Sequence, residues 1–154
     1  MKTSKRLDSA IRKLYVAFHS NQLHPECCKQ CAVGNILDNT DNWKHLLDHH
    51  GDTQLNYIGK VHQSLGRKFN GYSPLQLLHI EFIFLKTCGY QLPLHHKNNK
   101  PNNPKDKNIL FAGLCAVIEY LCNLDGINNI LDYSKLFDFE NNKPKHQSKS
   151  VKIS

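Results

Sequence analysis

The stretch SPLQLLHIEFIFLKTCG, from Ser73 to Gly89, limits what this chain can become more than any other segment. Ser73 offers an N-cap oxygen, Pro74 suits the first turn of a helix, and Gly89 can take the left-handed conformation that ends one. Between these signals the residues are apolar on most sides, the pattern of a helix surrounded by others. Its longest nearly apolar run, Leu77 to Leu85, is broken by His79 and Glu81 and falls far short of the roughly 20 residues of a membrane span. A central buried helix is expected, and no transmembrane one.

The rest of the chain follows helical spacing. Leu7, Ile11, Leu14 and Phe18 lie on one stripe and predict a helix from Ser4 to Asn21. Pro25 predicts a second, short helix running to Leu37. Trp43, Leu46, Leu47 and His50 form a third stripe, opened by Thr40 or Asp41 and closed by Gly51, and Leu55, Ile58, His62 and Leu65 form a fourth despite Gly59 and Gly66. After the central helix, LPLHHKNNKPNNPKDKN is a Pro-interrupted, Asn-rich connection without regular structure. A last long helix is predicted from Lys107 to Leu124, and a short one at Tyr133–Phe139. No stretch alternates as a strand would. The expected fold is all-α, an irregular or orthogonal bundle of five to seven helices in a single domain over residues 1–140. A disordered basic tail, 141–154, follows.

The net charge of +7 invites a nucleic-acid reading, but residues 1–13 and 141–154 hold the excess. Residues 14–140 carry eleven basic against twelve acidic side chains, whereas a groove reader needs a basic face on its folded domain. Solvated basic ends are the simpler reading, and nucleic acid is not an expected partner. The N-terminus mixes Asp8, Arg12 and Lys13 into its apolar positions and lacks the continuous apolar core of a secretory signal. A cytoplasmic location is expected, where six cysteines stay reduced.

Three of those cysteines stand in HPECCKQC, His24 to Cys31. Cys27 and Cys31 are four apart and Cys28 and Cys31 three apart, so either pair shares a helical face. With His24, or His19 from the preceding helix, Cys27, Cys28 and Cys31 match the ligand types of structural zinc, and with a ligand from elsewhere they match an iron–sulfur cluster. CCxxC lacks the second paired half of a complete zinc array, so buried neutral thiols and a reactive thiol at a helix start remain open beside the metal reading. Cys115 and Cys122, two helical turns apart, read as apolar core residues, and Cys88 stands where it can approach the first three.

Among the other polar groups, His45 and His49 are four apart beside Asp48, a spacing that also fits a solvated face. His95 and His96 lie in the Asn-rich connection. Glu81 stands among Leu77, Leu85 and Cys88 on an apolar face, so it requires a basic side chain, a histidine or a metal as partner. No nucleophile elbow, phosphate-cradling glycine loop or dinucleotide fingerprint accompanies it.

HPECCKQCAVGNILDN, NYIGKVHQSLGRKFNGYSPLQLLHIE, LPLHHKNNKPNNP and LCAVIEYLCNLDGI, taken in order over residues 5–140, resemble a family of small uncharacterised bacterial proteins often labelled as the flavin- and NADH-binding component of the sodium-translocating NADH:quinone reductase. The resemblance implies an association with respiratory redox chemistry and assigns no functional residue. The component behind the label has a ferredoxin domain and a flavin-binding reductase domain. Here the C-x4-C-x2-C spacing is missing, and its R-x-[YF]-[ST] flavin signature meets Asn70, Gly71, Tyr72 and Ser73, without the arginine. The function expected is that of a small soluble accessory protein with a Cys-rich zinc, iron–sulfur or thiol site and a protein partner in a redox complex. The alternatives are a cofactor-free helical interaction module with core cysteines, and a thiol-dependent enzyme in which Cys27 or Cys28 faces a base such as His24 or His19.

Overall fold

The central helix forms where its end signals stand. In the computed structural model, which describes residues 4–127, it is α4, Pro74–Thr87. The Ser73 side chain accepts from the Gln76 amide while Gln76 reaches back to the Ser73 amide, and Cys88 and a left-handed Gly89 (φ 98°) close the other end. The remaining helices are α1 (Lys5–His19), α2 (Ala32–Ile36), α3 (Tyr57–Ser64) and α5 (Lys107–Leu124), with a 3₁₀ segment at Asn42–Leu46. The fold is all-α. Among the described residues the only β pairing is an isolated bridge between Phe69 and Tyr72.

α4 sits in the middle and packs against α5, α2 and α3, while α1 closes the bundle against α2 and α5. The core runs through Leu7 and Leu14 of α1, Val33 and Ile36 of α2, Trp43, Ile80 and Phe84, and Leu114 and Ile118 of α5. α5 is long and apolar enough, by length and composition alone, to cross a membrane. Its buried residues are those of a core helix laid on α4 and α1. Arg6 ties the start of α1 to the end of α5 by a 2.6 Å pair with Asp125 and donates to the Gly71 carbonyl at 2.7 Å.

α1 forms where its apolar stripe predicts it and α5 within its predicted bounds, but two other segments depart from expectation. The helix predicted from Pro25 does not start there. The Cys27 amide donates to the His24 carbonyl and the Cys31 amide to that of Cys27, and the His24 amide donates to the Gln30 carbonyl at 2.8 Å. That last bond folds the segment back on itself, which a continuous helix forbids. Cys31 is extended and becomes the N-cap of α2, its sulfur accepting from the Gly34 amide.

The third predicted helix shrinks to the 3₁₀ segment. The Leu46 carbonyl accepts from the Asn56 amide across the loop instead of from its own next turn, Leu47 is extended, and Asp41 makes no side-chain cap. α3 forms as predicted, but Ile58 and Leu65 of its apolar stripe are exposed. The predicted helix at 133–139, the tail at 141–154 and the boundary at residue 140 lie outside the described residues.

Candidate metal centre

Glu81 emerges from the buried side of α4 with no exposed surface. One of its oxygens, Oε1, accepts from the Val33 amide at 3.2 Å, in the first turn of α2. The other, Oε2, lies 2.7 Å from His50 Nε2. His50 reaches it because the chain leaves the 3₁₀ segment extended at Leu47 and turns at Gly51, which brings the ring edge-on against Trp43 at 5.5 Å. Cys31 is equally buried, held by its place at the cap of α2. A ligand atom from each of Cys31, His50 and Glu81 lies within 4.8 Å of the others.

Gly34 makes this convergence possible. A Cβ at that position would stand 2.3 Å from the Cys28 carbonyl oxygen and 2.5 Å from the Lys29 carbonyl carbon, so only glycine lets α2 lie against the cysteine turn. Trp43 fixes the same turn from the other side, donating from Nε1 to the Cys28 carbonyl at 3.1 Å. Cys28 is half-buried, and its sulfur faces His50 Nδ1 at 3.9 Å. A cavity of about 300 Å³, lined by Cys28, Trp43, His45, Asp48 and His50 among others, opens on this outer side of the imidazole.

The electrostatics follow from burial. Burial alone draws the His50 pKa down, but the Glu81 carboxylate and the Cys28 sulfur outweigh it and lift the value to about 10. His50 is therefore an imidazolium at neutral pH, paired with Glu81. Burial first and the Glu81 charge second push the Cys31 thiol well above its ordinary range, against the Gly34 amide that favours the thiolate. The same two causes push Cys88 up to about 12. Its sulfur rests on the Ile109 carbonyl of α5 at 3.7 Å.

Of the four residues singled out as ligands, Cys31 joins this group and Cys28 borders it through His50. Cys27 is half-buried on the outer turn. His24 accepts from the Glu26 amide at 3.2 Å through Nδ1, and neither His24 nor Cys27 belongs to the group. His45 and His49 do not share a helical face, because the helix ends between them. His49 meets Asp52 at 3.5 Å, and the His45 ring stacks edge-on with His62.

The expectation that Glu81 needs a buried partner is met by His50, a residue that ligand spacing does not pick out. Its signal was position. A histidine on the Trp43–Leu46–Leu47 stripe and a carboxylate on an apolar helix face are each a polar group where a hydrophobe belongs, and each supplies what the other lacks. Comparison with protein-family models, curated proteins and solved structures returned no match.

Proposed function

We propose that this chain is a small helical accessory protein whose Cys31, His50 and Glu81 hold a divalent metal ion of the zinc class. The observation that carries the reading is the convergence of sulfur, nitrogen and carboxylate oxygen, from three separate elements, within 4.8 Å in the interior. Sulfur, imidazole and carboxylate are zinc's ligand types, whereas an iron–sulfur cluster asks for thiolates. Charge supports the choice. A thiolate and a carboxylate neutralise a dication, so the loaded site carries no net charge into the core, and the imidazole binds neutral. Cys28 faces the other imidazole nitrogen, Nδ1, and is not one of the three ligands. The resemblance to the family labelled as an NADH:quinone reductase component suggests a redox complex as the partner, and that association is part of the proposal.

Loading the site displaces two protons, one from Cys31 and one from His50, since both hold theirs at neutral pH without metal. Metal analysis of protein purified without a histidine tag is expected to give about one equivalent of zinc, absent from the Cys31→Ser and His50→Ala variants. Protein grown in metal-replete medium that is metal-free, and that melts identically with and without chelator, would overturn the reading and leave a cofactor-free module with core thiols.

One contact favours a second reading. Cys28 Sγ, His50 and Glu81 follow one another in the order thiol, imidazole, carboxylate, with the thiol on the cavity side, as in thiol-dependent enzymes. Rapid alkylation of Cys28 in metal-free protein, slowed in Glu81→Gln, would support it. Alkylation no faster than that of an unfolded thiol would sink it.

A further inference from the structure

We infer that the outward face of α3 docks on an anionic membrane surface, because exposed Tyr57, Ile58, Val61 and Leu65 stand beside the exposed cations Lys60, Arg67 and Lys68. Gly59 is the one buried residue of α3, which also meets the body through His62, set against His45 and Phe69. A Cβ on Gly59 would meet the Leu46 carbonyl oxygen at 2.5 Å, so the glycine is a contact point and the larger apolar side chains are left outside. Tyr57 is 80% exposed and Leu65 63%, and Leu75 at the start of α4 adds 40% beside them. The Gln63 side chain joins the two helices by accepting from the Leu75 amide at 2.9 Å. Ile58, Val61 and Leu65 follow helical spacing on one stripe, which makes a continuous ridge of them. Apolar surface gathered this way marks an interaction site.

The charge around the ridge selects the partner. No Asp or Glu occurs from Thr53 to Ile80, so the cations at 60, 67 and 68 are uncompensated within the segment. None of the three forms an ion pair among the described residues. Of the acids that precede the segment, Asp38 accepts from Asn70 at 3.2 Å near Lys68 but is paired with Lys13 at 2.7 Å, and Asp48 and Asp52 stand toward the N-terminal end of α3. Asp48 meets Asn56 at 3.4 Å, and Asp52 is engaged by His49. A short helix packed on the body by one side, with an exposed apolar ridge, a tyrosine and flanking cations on the other, has the chemistry of an interfacial anchor. The ridge enters the boundary of headgroups and acyl chains, and the cations meet anionic headgroups. A protein partner would instead need a groove of its own to receive the ridge.

The test is co-sedimentation of the full chain with vesicles of phosphatidylcholine alone and of phosphatidylcholine with phosphatidylglycerol. Binding is expected only to the anionic vesicles and should weaken as salt rises. Neutralising the cations in Lys60→Gln, Arg67→Gln, Lys68→Gln should weaken it on the order of a hundredfold. Ile58→Ser with Leu65→Ser should also abolish most of it, while circular dichroism shows the fold retained. Absence of binding to anionic vesicles would overturn the proposal. So would binding that survives both sets of substitutions, which would assign it to the basic termini. A dimer in solution that Leu65→Ser dissolves would name a second copy as the occupant and overturn it equally.

Discussion

α4 buries seven of its fourteen residues, Glu81 among them, whereas α3, packed against it, buries Gly59 alone. Composition separates them in part, since eight of the fourteen residues of α4 are Leu, Ile or Phe whereas α3 has only Tyr57, Ile58 and Val61 as large apolar residues among its eight. Orientation separates them further. α4 is gripped on three sides by α2, α3 and α5, and its buried polar group is supplied with a partner from each of two other elements. α3 touches the body where its backbone comes close enough, and that contact turns Ile58 and Leu65 outward. The polar side of α3, with His62 against His45 and Phe69, and Gln63 on the Leu75 amide, faces the body, and the apolar residues are left outside.

The largest effect that separates the two regions is expected at Glu81. Glu81→Gln keeps an acceptor for the Val33 amide but leaves His50 without its carboxylate. The metal-free protein should lose about 1–3 kcal/mol in denaturant unfolding. Glu81→Leu removes polar group and charge together and should cost less in a purely structural site. If the site holds zinc as proposed, the order reverses in protein saturated with the metal, because neither variant retains the carboxylate and the leucine cannot replace it with any oxygen. Equal, negligible changes in both variants would show that the pair contributes nothing.

The same pair sets a pH dependence in the metal-free protein. The His50 pKa in the folded state, about 10, lies above its ordinary value of 6.5. The folded state therefore holds more protons than the unfolded state between those values. Stability from the pair is fully present below about pH 6.5 and is lost as the pH rises toward 10, with a slope of at most about 1.4 kcal/mol per pH unit. Cys31 and Cys88, whose thiols are raised above 9.0, act in the same direction at higher pH. Denaturant midpoints taken from pH 6 to 9 should fall in the wild type and much less in His50→Gln. A wild-type midpoint that is flat or rising over this range contradicts the imidazolium–carboxylate pair.

Gly59→Ala should have the next effect, and its sign is informative. In an exposed helix interior alanine gains up to about 1 kcal/mol over glycine. Here its Cβ would stand 2.5 Å from the Leu46 backbone oxygen and 3.0 Å from Leu55 Cβ, and a backbone atom does not yield as a side-chain tip would. A net loss of about 1–2 kcal/mol is expected. A gain in melting temperature would mean that α3 does not rest on Leu46.

These contrasts explain what the sequence made legible. Elements bounded by local chemistry, such as the Ser73–Pro74 start and Gly89 end of α4 or the apolar repeat of α1, could be read residue by residue. The segments from His24 to Cys31 and from Asn42 to His50 could not, because their carbonyls are claimed by partners outside the local repeat. Gln30 O is taken by the His24 amide and Leu46 O by the Asn56 amide. The site is built largely from those segments. Cys31 and Glu81 were visible as a ligand type and as a misplaced carboxylate. His50 became part of the site only through the turn that ends the 3₁₀ segment, while the spacing of His45 and His49 pointed to a helix that does not extend that far.

The smallest effect on stability is expected at Leu65, and it is the sharpest statement about α3. Leu65 follows α3 as its C-cap and is 63% exposed, with its amide donating to the Val61 carbonyl at 3.0 Å. Serine keeps that amide and removes a side chain that already stands mostly in water, so Leu65→Ser should shift the unfolding free energy by no more than about 0.5 kcal/mol. Thermal and denaturant unfolding of the full chain measure this directly. A loss of several times that amount would mean that Leu65 is buried against part of the molecule. The ridge would then belong to the core that α4 organises, and the distinction between a helix that builds a site and one that presents a surface would fail at its outermost residue.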